Sequence, residues 1–381
     1  MSHRIEESPL MAIAPGNARR HMLHRFGEPG ARPKAYLQAA LHADEIPGLL
    51  VLHHLLRLLI EADRAGAIRG EIVIAPYANP IGLSQRFAST LLGRYEFDGH
   101  RNFNRGFPNL DAAVIARVEG KLGADAEANV ATIRAALLTL LDEREAETEI
   151  QAQRLFLMRN AVDADIVLDL HCDLEAVLHL FLGDHLWPDA ADLSAQLGAE
   201  VTILAVDSGG DPFDEACSRP WWALAKHYGD RFPVPAGCLA ATVELRGTAD
   251  VADRFAAPDA ENLFRFLQRR GLVAGDPGPL PEAKCAATPL TGVDHVAVPR
   301  AGVVAYCKEP GDRVAAGEVV AELVDPAAAD PTRARIPLKS RASGILFGRE
   351  AMKFARAGDR VCKIAGAEPL PGRVPGKLML D

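Results

Sequence analysis

The stretch KAYLQAALHADEIPGLLVLHHLL, residues Lys34 to Leu56, changes character halfway along. KAYLQAAL is an almost continuous apolar run after Pro33 and reads as a buried strand. From Ile46 to Ala65 the spacing becomes helical, with Leu49, Leu52, Leu56, Leu59 and Ile60 repeating until Gly66 stops the pattern. EIVIAPYANP (Glu71–Pro80) is then a second strand, halted at Asn79-Pro80 because proline cannot donate to a ladder. Strand, helix and strand in that order predict a layered α/β sheet. Between the first strand and the helix stand His42 and Glu45, a base and an acid where an apolar run gives way to a helix.

Working outward, residues 111–160 form a helical block with Ile133, Leu137, Leu138 and Leu141 on one stripe, and DEREAETE is a solvated face. Further strands are predicted in ADIVLDLHC (Ala164–Cys172), AVLHLFLG (Ala176–Gly183) and LAATVELRG (Leu239–Gly247), followed by an amphipathic helix around Asp259 to Arg270. Residues 275–292 are rich in proline and glycine and read as a linker. Two domains are therefore expected, 1–285 and 286–381. The second carries an internal repeat: RAGVVAYCKEPGDRVAAGEVVAEL (Arg300–Leu323) is echoed by RASGILFGREAMKFARAGDRVCKI (Arg341–Ile364). Two similar β half-units predict a small all-β sandwich of pseudo-twofold symmetry. The repeat resembles the barrel-sandwich of biotinyl and lipoyl carrier domains, with Pro310, Gly311, Asp312, Val314 and Gly317 as the shared turn. The carriers' modified lysine has no counterpart in VDPAAADPTRARIPL, so an unmodified structural or capping domain is expected.

At 49% hydrophobic and 24% charged residues the composition is that of an ordinary globular protein with a sizeable core. A net charge of -9 without a Lys/Arg run argues against nucleic acid or anionic membrane as partner. The six cysteines show no CxxC pairing and fit reduced thiols better than a disulfide framework. The N-terminal residues lack a signal-peptide pattern, and the most apolar window is broken by His53, His54 and Arg57, so a cytoplasmic location is expected.

His42 and Glu45 alone are too few to hold a metal ion in a catalytic site, which takes three protein ligands and leaves a position open. His171, at the end of the apolar strand VLDLHCD, is the candidate third. In an open α/β sheet, groups just past the carboxyl ends of strands converge on the ligand crevice, and His42 and His171 both occupy that position.

With these pieces assembled, the sequence resembles the succinylglutamate desuccinylase/aspartoacylase family of the zinc carboxypeptidase superfamily. The resemblance rests on HADE (His42–Glu45), ANPIG (Ala78–Gly82), RNFNRGFP (Arg101–Pro108), DLHCD (Asp169–Asp173) and VELRG (Val243–Gly247), in the family's order over residues 34–270. It implies a mixed central sheet flanked by helices, of zinc carboxypeptidase type, with one Zn2+ per chain on His42, Glu45 and His171. It further implies hydrolysis of the amide of an N-acyl amino acid, with a metal-bound water as nucleophile and Glu244 as general base. A pairing of Glu244 with Arg246 is the structural alternative. Asn104 and Arg105 match the family's clamp for the substrate carboxylate. Arg94 is favoured to stabilise the oxyanion, with Arg86 and Arg101 as alternatives. Asp169 stands where an acid orients a ligand histidine, or where it merely ends a strand.

Asp44, Asp173, Glu175, Asp211, Asp214 and Glu215 lie near the expected site. They suggest a substrate with a positive side chain, as in the acetyl-diaminobutyrate deacetylase branch, unless they are exposed loop carboxylates. Trp221 and Trp222 are offered as pocket walls, packing being the alternative. A small-molecule partner is expected, with neither nucleic acid nor membrane, and self-association stays open. A zinc carboxypeptidase acting on peptides and a non-catalytic zinc-binding protein are the competing functions.

Overall fold

The computed structural model describes residues 2–374. At its centre lie nine strands: β1 (Arg4–Pro9), β2 (Arg20–Phe26), β3 (Lys34–Ala39), β4 (Glu71–Ala75), β5 (Ile166–Asp173), β6 (His179–Leu182), β7 (Val201–Leu204), β8 (Leu239–Gly247) and β9 (Ala287–Pro289). They form one mixed sheet in the order β1-β2-β4-β3-β5-β8-β6-β7-β9. β4, β3, β5 and β8 are mutually parallel, while β2 and β6 run against their neighbours β4 and β8. The central strands β3 and β5 are buried almost throughout, which is why their sequences are nearly continuous apolar runs.

The helices are α1 (Pro47–Arg64), α2 (Asp111–Val118), α3 (Ala126–Asp142), α4 (Glu149–Ala161), α5 (Ala191–Leu197), α6 (Phe213–Tyr228) and α7 (Asp253–Arg269). α1, α5 and α7 cover one face of the sheet; α2, α3, α4 and α6 cover the other. The α1 stripe is centred on Val51, Leu52, Leu55 and Leu59, with Leu49, Leu56 and Ile60 only flanking it, so the buried face is rotated from the predicted one. Pro47 opens this helix, and Gly48 lets it approach the strand ends. A Cβ on Gly48 would stand 3.0 Å from that of Ala39 and 3.1 Å from that of Leu170. The predicted helical block divides into α2, α3 and α4, and α4 starts at a Thr148/Gln151 capping box.

His21 on β2 is buried face to face with Phe156, ring centroids 4.3 Å apart, and neither of its ring nitrogens finds a hydrogen-bond partner among the described residues. Burial pulls its pKa down to about 4. The unfolded chain therefore takes up a proton on this ring below about pH 6.5 while the folded protein resists it. Stability is lost as pH falls from about 6.5 to about 4, by about 3 kcal/mol when complete. His21→Phe keeps the stack and is expected to remove that part of the acid sensitivity. Urea unfolding at neutral and acid pH checks it, and equal losses in both proteins would clear His21 of responsibility.

Beyond β9 come β10 (Val293–Ala297), β11 (Gly302–Tyr306), β12 (Val319–Val324), β13 (Arg335–Lys339), β14 (Gly344–Arg349) and β15 (Arg360–Gly366). They make two antiparallel sheets around Val304, Val320, Leu323, Leu346, Val361 and Ile364. The sequence repeat appears as matching halves, each a long strand, a two-residue arm and a long strand. The arms are exchanged: Arg313–Val314 pairs with β14 of the second half, and Phe354–Ala355 pairs with β11 of the first. The sandwich is also stitched to the large sheet. Glu175–Ala176, just past β5, pairs with β14, and Val177, Ile203, Leu290, Val293 and Phe347 share a core at the seam. Among the described residues no helix is long and apolar enough to cross a membrane.

Candidate active site

β3 is cut short by Ala40, whose φ of +56° is rare for a residue with a side chain. The turn it makes carries His42 and Glu45 over the carboxyl end of the sheet before α1 begins. His171 reaches the same place from neighbouring β5, and the three buried residues present donor atoms within 4.8 Å of one another. His42 Nδ1 is 2.9 Å from Glu45 Oε1, and His171 Nδ1 is 2.7 Å from Glu45 Oε2.

Proton positions test whether a metal fits. Asn102 Oδ1 accepts the backbone N–H of Asn104 at 2.9 Å, so it is an acceptor, and His42 Nε2, also 2.9 Å away, must donate to it. Burial, with Arg94 close by, pulls the His42 pKa down to about 4, so the ring is neutral and Nδ1 carries a lone pair. Arg94 Nη1 stands 3.3 Å from that nitrogen and 3.1 Å from Glu45 Oε1, so a guanidinium faces both atoms. His171 Nε2 is 2.9 Å from Asp169 Oδ2 without hydrogen-bond geometry, and its Nδ1 faces Glu45. Burial opposes charge on this ring, yet Asp169 and Glu45 outweigh it and hold the pKa well above the usual value. Two imidazole nitrogens and a carboxylate gathered in one cluster are a donor set suited to zinc.

Behind His42, Glu45 and His171 runs a buried polar chain that the strand sequences conceal. Tyr36 donates to Gln38 Oε1 at 2.9 Å, and Gln38 donates to Asp169 Oδ1 at 3.0 Å. Asp169 is thus fixed by Gln38 on one side and faces His171 on the other. The loop after β4 supplies the rest. Gly93 lies so close to the ligand turn that a Cβ would stand 2.4 Å from the Asp44 backbone nitrogen, and its carbonyl accepts the Ala43 N–H at 2.9 Å. Arg94 follows at once, donating to Glu45 Oε1 at 3.1 Å and lining the pocket. Arg101 instead pairs with Glu96 at 2.6 Å, and it lines a separate surface cavity together with Arg86.

Asn104 and Arg105 line the same pocket as the histidines. Asn104 Oδ1 accepts the N–H of Phe213 at the start of α6, and Gly210 (φ +80°) leaves the room in which the Arg105 side chain lies. Glu244 enters from β8, in register with His171. Its Oε2 is buried with no hydrogen-bond partner among the described residues. Burial, then the negative charge of Glu45, push its pKa up to about 8. Arg246 does not pair with it: at a bulge in β8 Arg246 takes a φ of +63°, binding Asp259 of α7 and stacking over Phe255.

The structure separates the expected acids. Asp173 pairs with Lys363, Glu175 with Arg349 and Lys353, and Asp211 with Arg219. Asp214 and Glu215, at the start of α6, line the pocket without an ion pair among the described residues. Neither tryptophan walls the site. Trp221 is in the core over Gly237, and Trp222 packs under Lys226. Asn102 and Lys363 escaped the sequence reading: the first lay unread inside RNFNR, and the second is brought in from 190 residues beyond its partner.

Residues 31–131 match the model of the succinylglutamate desuccinylase/aspartoacylase catalytic domain. The matched segment carries His42, Glu45, Arg94, Asn104 and Arg105, in line with the resemblance drawn from the motifs. Among solved structures, a protein from Shewanella amazonensis named for the same family has a TM-score of 0.85 at 24% identity, over 95% of this chain and 98% of that one. A second, from Shewanella frigidimarina, scores 0.83 at 24% identity over 96% and 98%. The product-bound ectoine utilization protein EutE (DoeB) from Ruegeria pomeroyi scores 0.65 at 19% identity over 96% and 94%. These likenesses extend the shared fold through the sandwich. No curated protein matches the sequence.

Proposed function

We propose that the protein is a zinc-dependent deacylase that hydrolyses the amide bond of a small N-acyl amino acid. The observation that carries this reading is the convergence of His42, Glu45 and His171, with the His42 proton held on the far side by Asn102, in one pocket with Glu244, Arg94, Asn104 and Arg105. A divalent cation held by the three ligands supplies a Lewis acid that polarises the scissile carbonyl and activates water. Glu244 takes the proton from the attacking water at its carboxylate and returns it to the leaving amine nitrogen. Arg94 offers N–H groups to the oxygen on which charge develops. Asn104 and Arg105 grip the α-carboxylate of the amino acid and so fix which amide meets the base. Leu290 at the seam and Lys363 of the sandwich form part of the pocket wall, which favours a small substrate over a polypeptide lying through an open cleft.

For the amino-acid side chain the proposal is a cation. Burial, followed by charge from neighbouring acids, raises Asp214 to about 6 and Glu215 to about 8, and Glu215 Oε2 has no partner among the described residues. An ammonium placed there would relieve both carboxylates. The test is hydrolysis of a panel of N-acetyl and N-succinyl amino acids by zinc-loaded protein. N-acetylated diamino acids should turn over fastest. Faster turnover of acylated aspartate or glutamate would overturn the side-chain assignment, and no release of free amino acid from any of them would overturn the deacylase.

A further inference from the structure

The seam between the large sheet and the sandwich runs along the active site. Asp173, the last residue of β5 and two past His171, accepts a hydrogen bond from Lys363 Nζ of β15 at 2.5 Å. Gly348 of β14 makes the room, since a Cβ there would stand 2.9 Å from Asp173 Oδ2. Next along the chain, Glu175 binds Arg349 and Lys353 at 2.6 and 2.7 Å, so β5 is anchored to the sandwich just after its ligand histidine. Lys363 is nevertheless more than an anchor. It lines the pocket together with Glu244, and an ammonium has three donors, of which Asp173 takes one. Glu244 has no ion-pair partner among the described residues, because Arg246 is turned away to Asp259. The registers His171 with Glu244 and Asp173 with Gly247 lay the Asp173–Lys363 pair alongside the stretch of β8 that follows Glu244. Each of the two groups feels the other's charge.

We propose that Lys363 is a positioning residue for the reaction: delivered by the sandwich and seated on Asp173 beyond ion-pair distance of Glu244, its ammonium acts across the shared pocket, and its charge orients the Glu244 carboxylate toward the reacting atoms. The inference rests on the deacylase reading of the site. It makes the sandwich a contributor to the active site rather than a cover over it.

The test compares Lys363→Met, Lys363→Arg and the double variant Asp173→Asn/Lys363→Met with the wild type on the best substrate of the panel. The single Met variant leaves Asp173 buried without its cation and is prone to misfold, whereas the double variant removes both charges and keeps the seam neutral. In the double variant the melting transition and bound zinc should match the wild type, with kcat reduced about a hundredfold at nearly unchanged KM. Lys363→Arg should recover part of that kcat. A double variant with wild-type kcat would reduce Lys363 to a counter-charge for Asp173, and a loss confined to KM would make it a substrate ligand; either result overturns the proposal. Inactivity of the wild type on the whole panel is a different failure, that of the deacylase reading, and the inference falls with it.

Discussion

Glu244→Gln should lower kcat by about 10²- to 10⁴-fold with little change in bound zinc or in melting temperature. Glutamine has the shape of glutamate, so the packing of β8 between β5 and β6 is undisturbed. What it lacks is a place for the water's proton. Glu244 suits that task because its surroundings leave its two protonation states close in energy near neutral pH. Burial and the Glu45 charge disfavour the ionised form, and no hydrogen bond to Oε2 offsets them. Removing a charge that the fold stabilises poorly costs the fold little. The measurement is steady-state hydrolysis beside metal analysis and thermal melting of the same preparation. A variant that binds zinc, melts like the wild type and keeps most of its activity would take Glu244 out of the reaction.

Glu45→Gln is expected to have the larger effect on the metal. Glu45 touches His42 through one oxygen and His171 through the other, receives Arg94, and also accepts the Cys172 N–H at 3.2 Å. Burial opposes its charge, but the two histidines hold its pKa well below the carboxylate range, so it is ionised at any working pH. The amide removes that anion and turns an N–H₂ group toward at least one of the imidazoles. Loss of a supporting partner behind a ligand weakens metal binding by about 10- to 100-fold, and loss of the charged ligand should exceed this. Competition for zinc against a chromogenic chelator reads the change directly. Activity should vanish in parallel and return in part at high zinc concentration. Unaltered zinc affinity in Glu45→Gln would mean that the ion binds somewhere else.

The parts of the molecule legible in the sequence are those whose neighbours lie close along the chain or whose burial is uniform. β3, α1 and β4 announce themselves because period and composition switch at Ile46 and Gly66, and β5 and β8 because strands buried on both faces are mostly apolar, with the few polar residues standing out. His42, Glu45 and His171 could be grouped because strand ends gather at one edge of such a sheet. The hidden parts depend on distant partners. Gln38 and Tyr36 look like ordinary strand residues until β5 is laid beside them and Asp169 meets the amide. The acids were read as one population, yet Asp173, Glu175 and Asp211 are spent on cations from the sandwich and α6, leaving Asp214 and Glu215 facing the pocket. The sequence repeat revealed the sandwich. It gave no sign that the halves exchange arms, because an arm paired within its own half would have the same sequence.

The two-residue strand Glu175–Ala176 also bears on how such a chain can change over generations. It hydrogen-bonds to β14 across the seam, between the strand that carries His171 on one side and Lys363 on the other. A crossover between genes in the proline-rich connection before β9 would give an offspring one parent's Asp173 and Glu175 and the other parent's Lys363, Arg349 and Lys353. Unless both parents carry matching charges, such a hybrid inherits a mismatched half-site. The two parts, separable on paper at a linker, are bound to be inherited together.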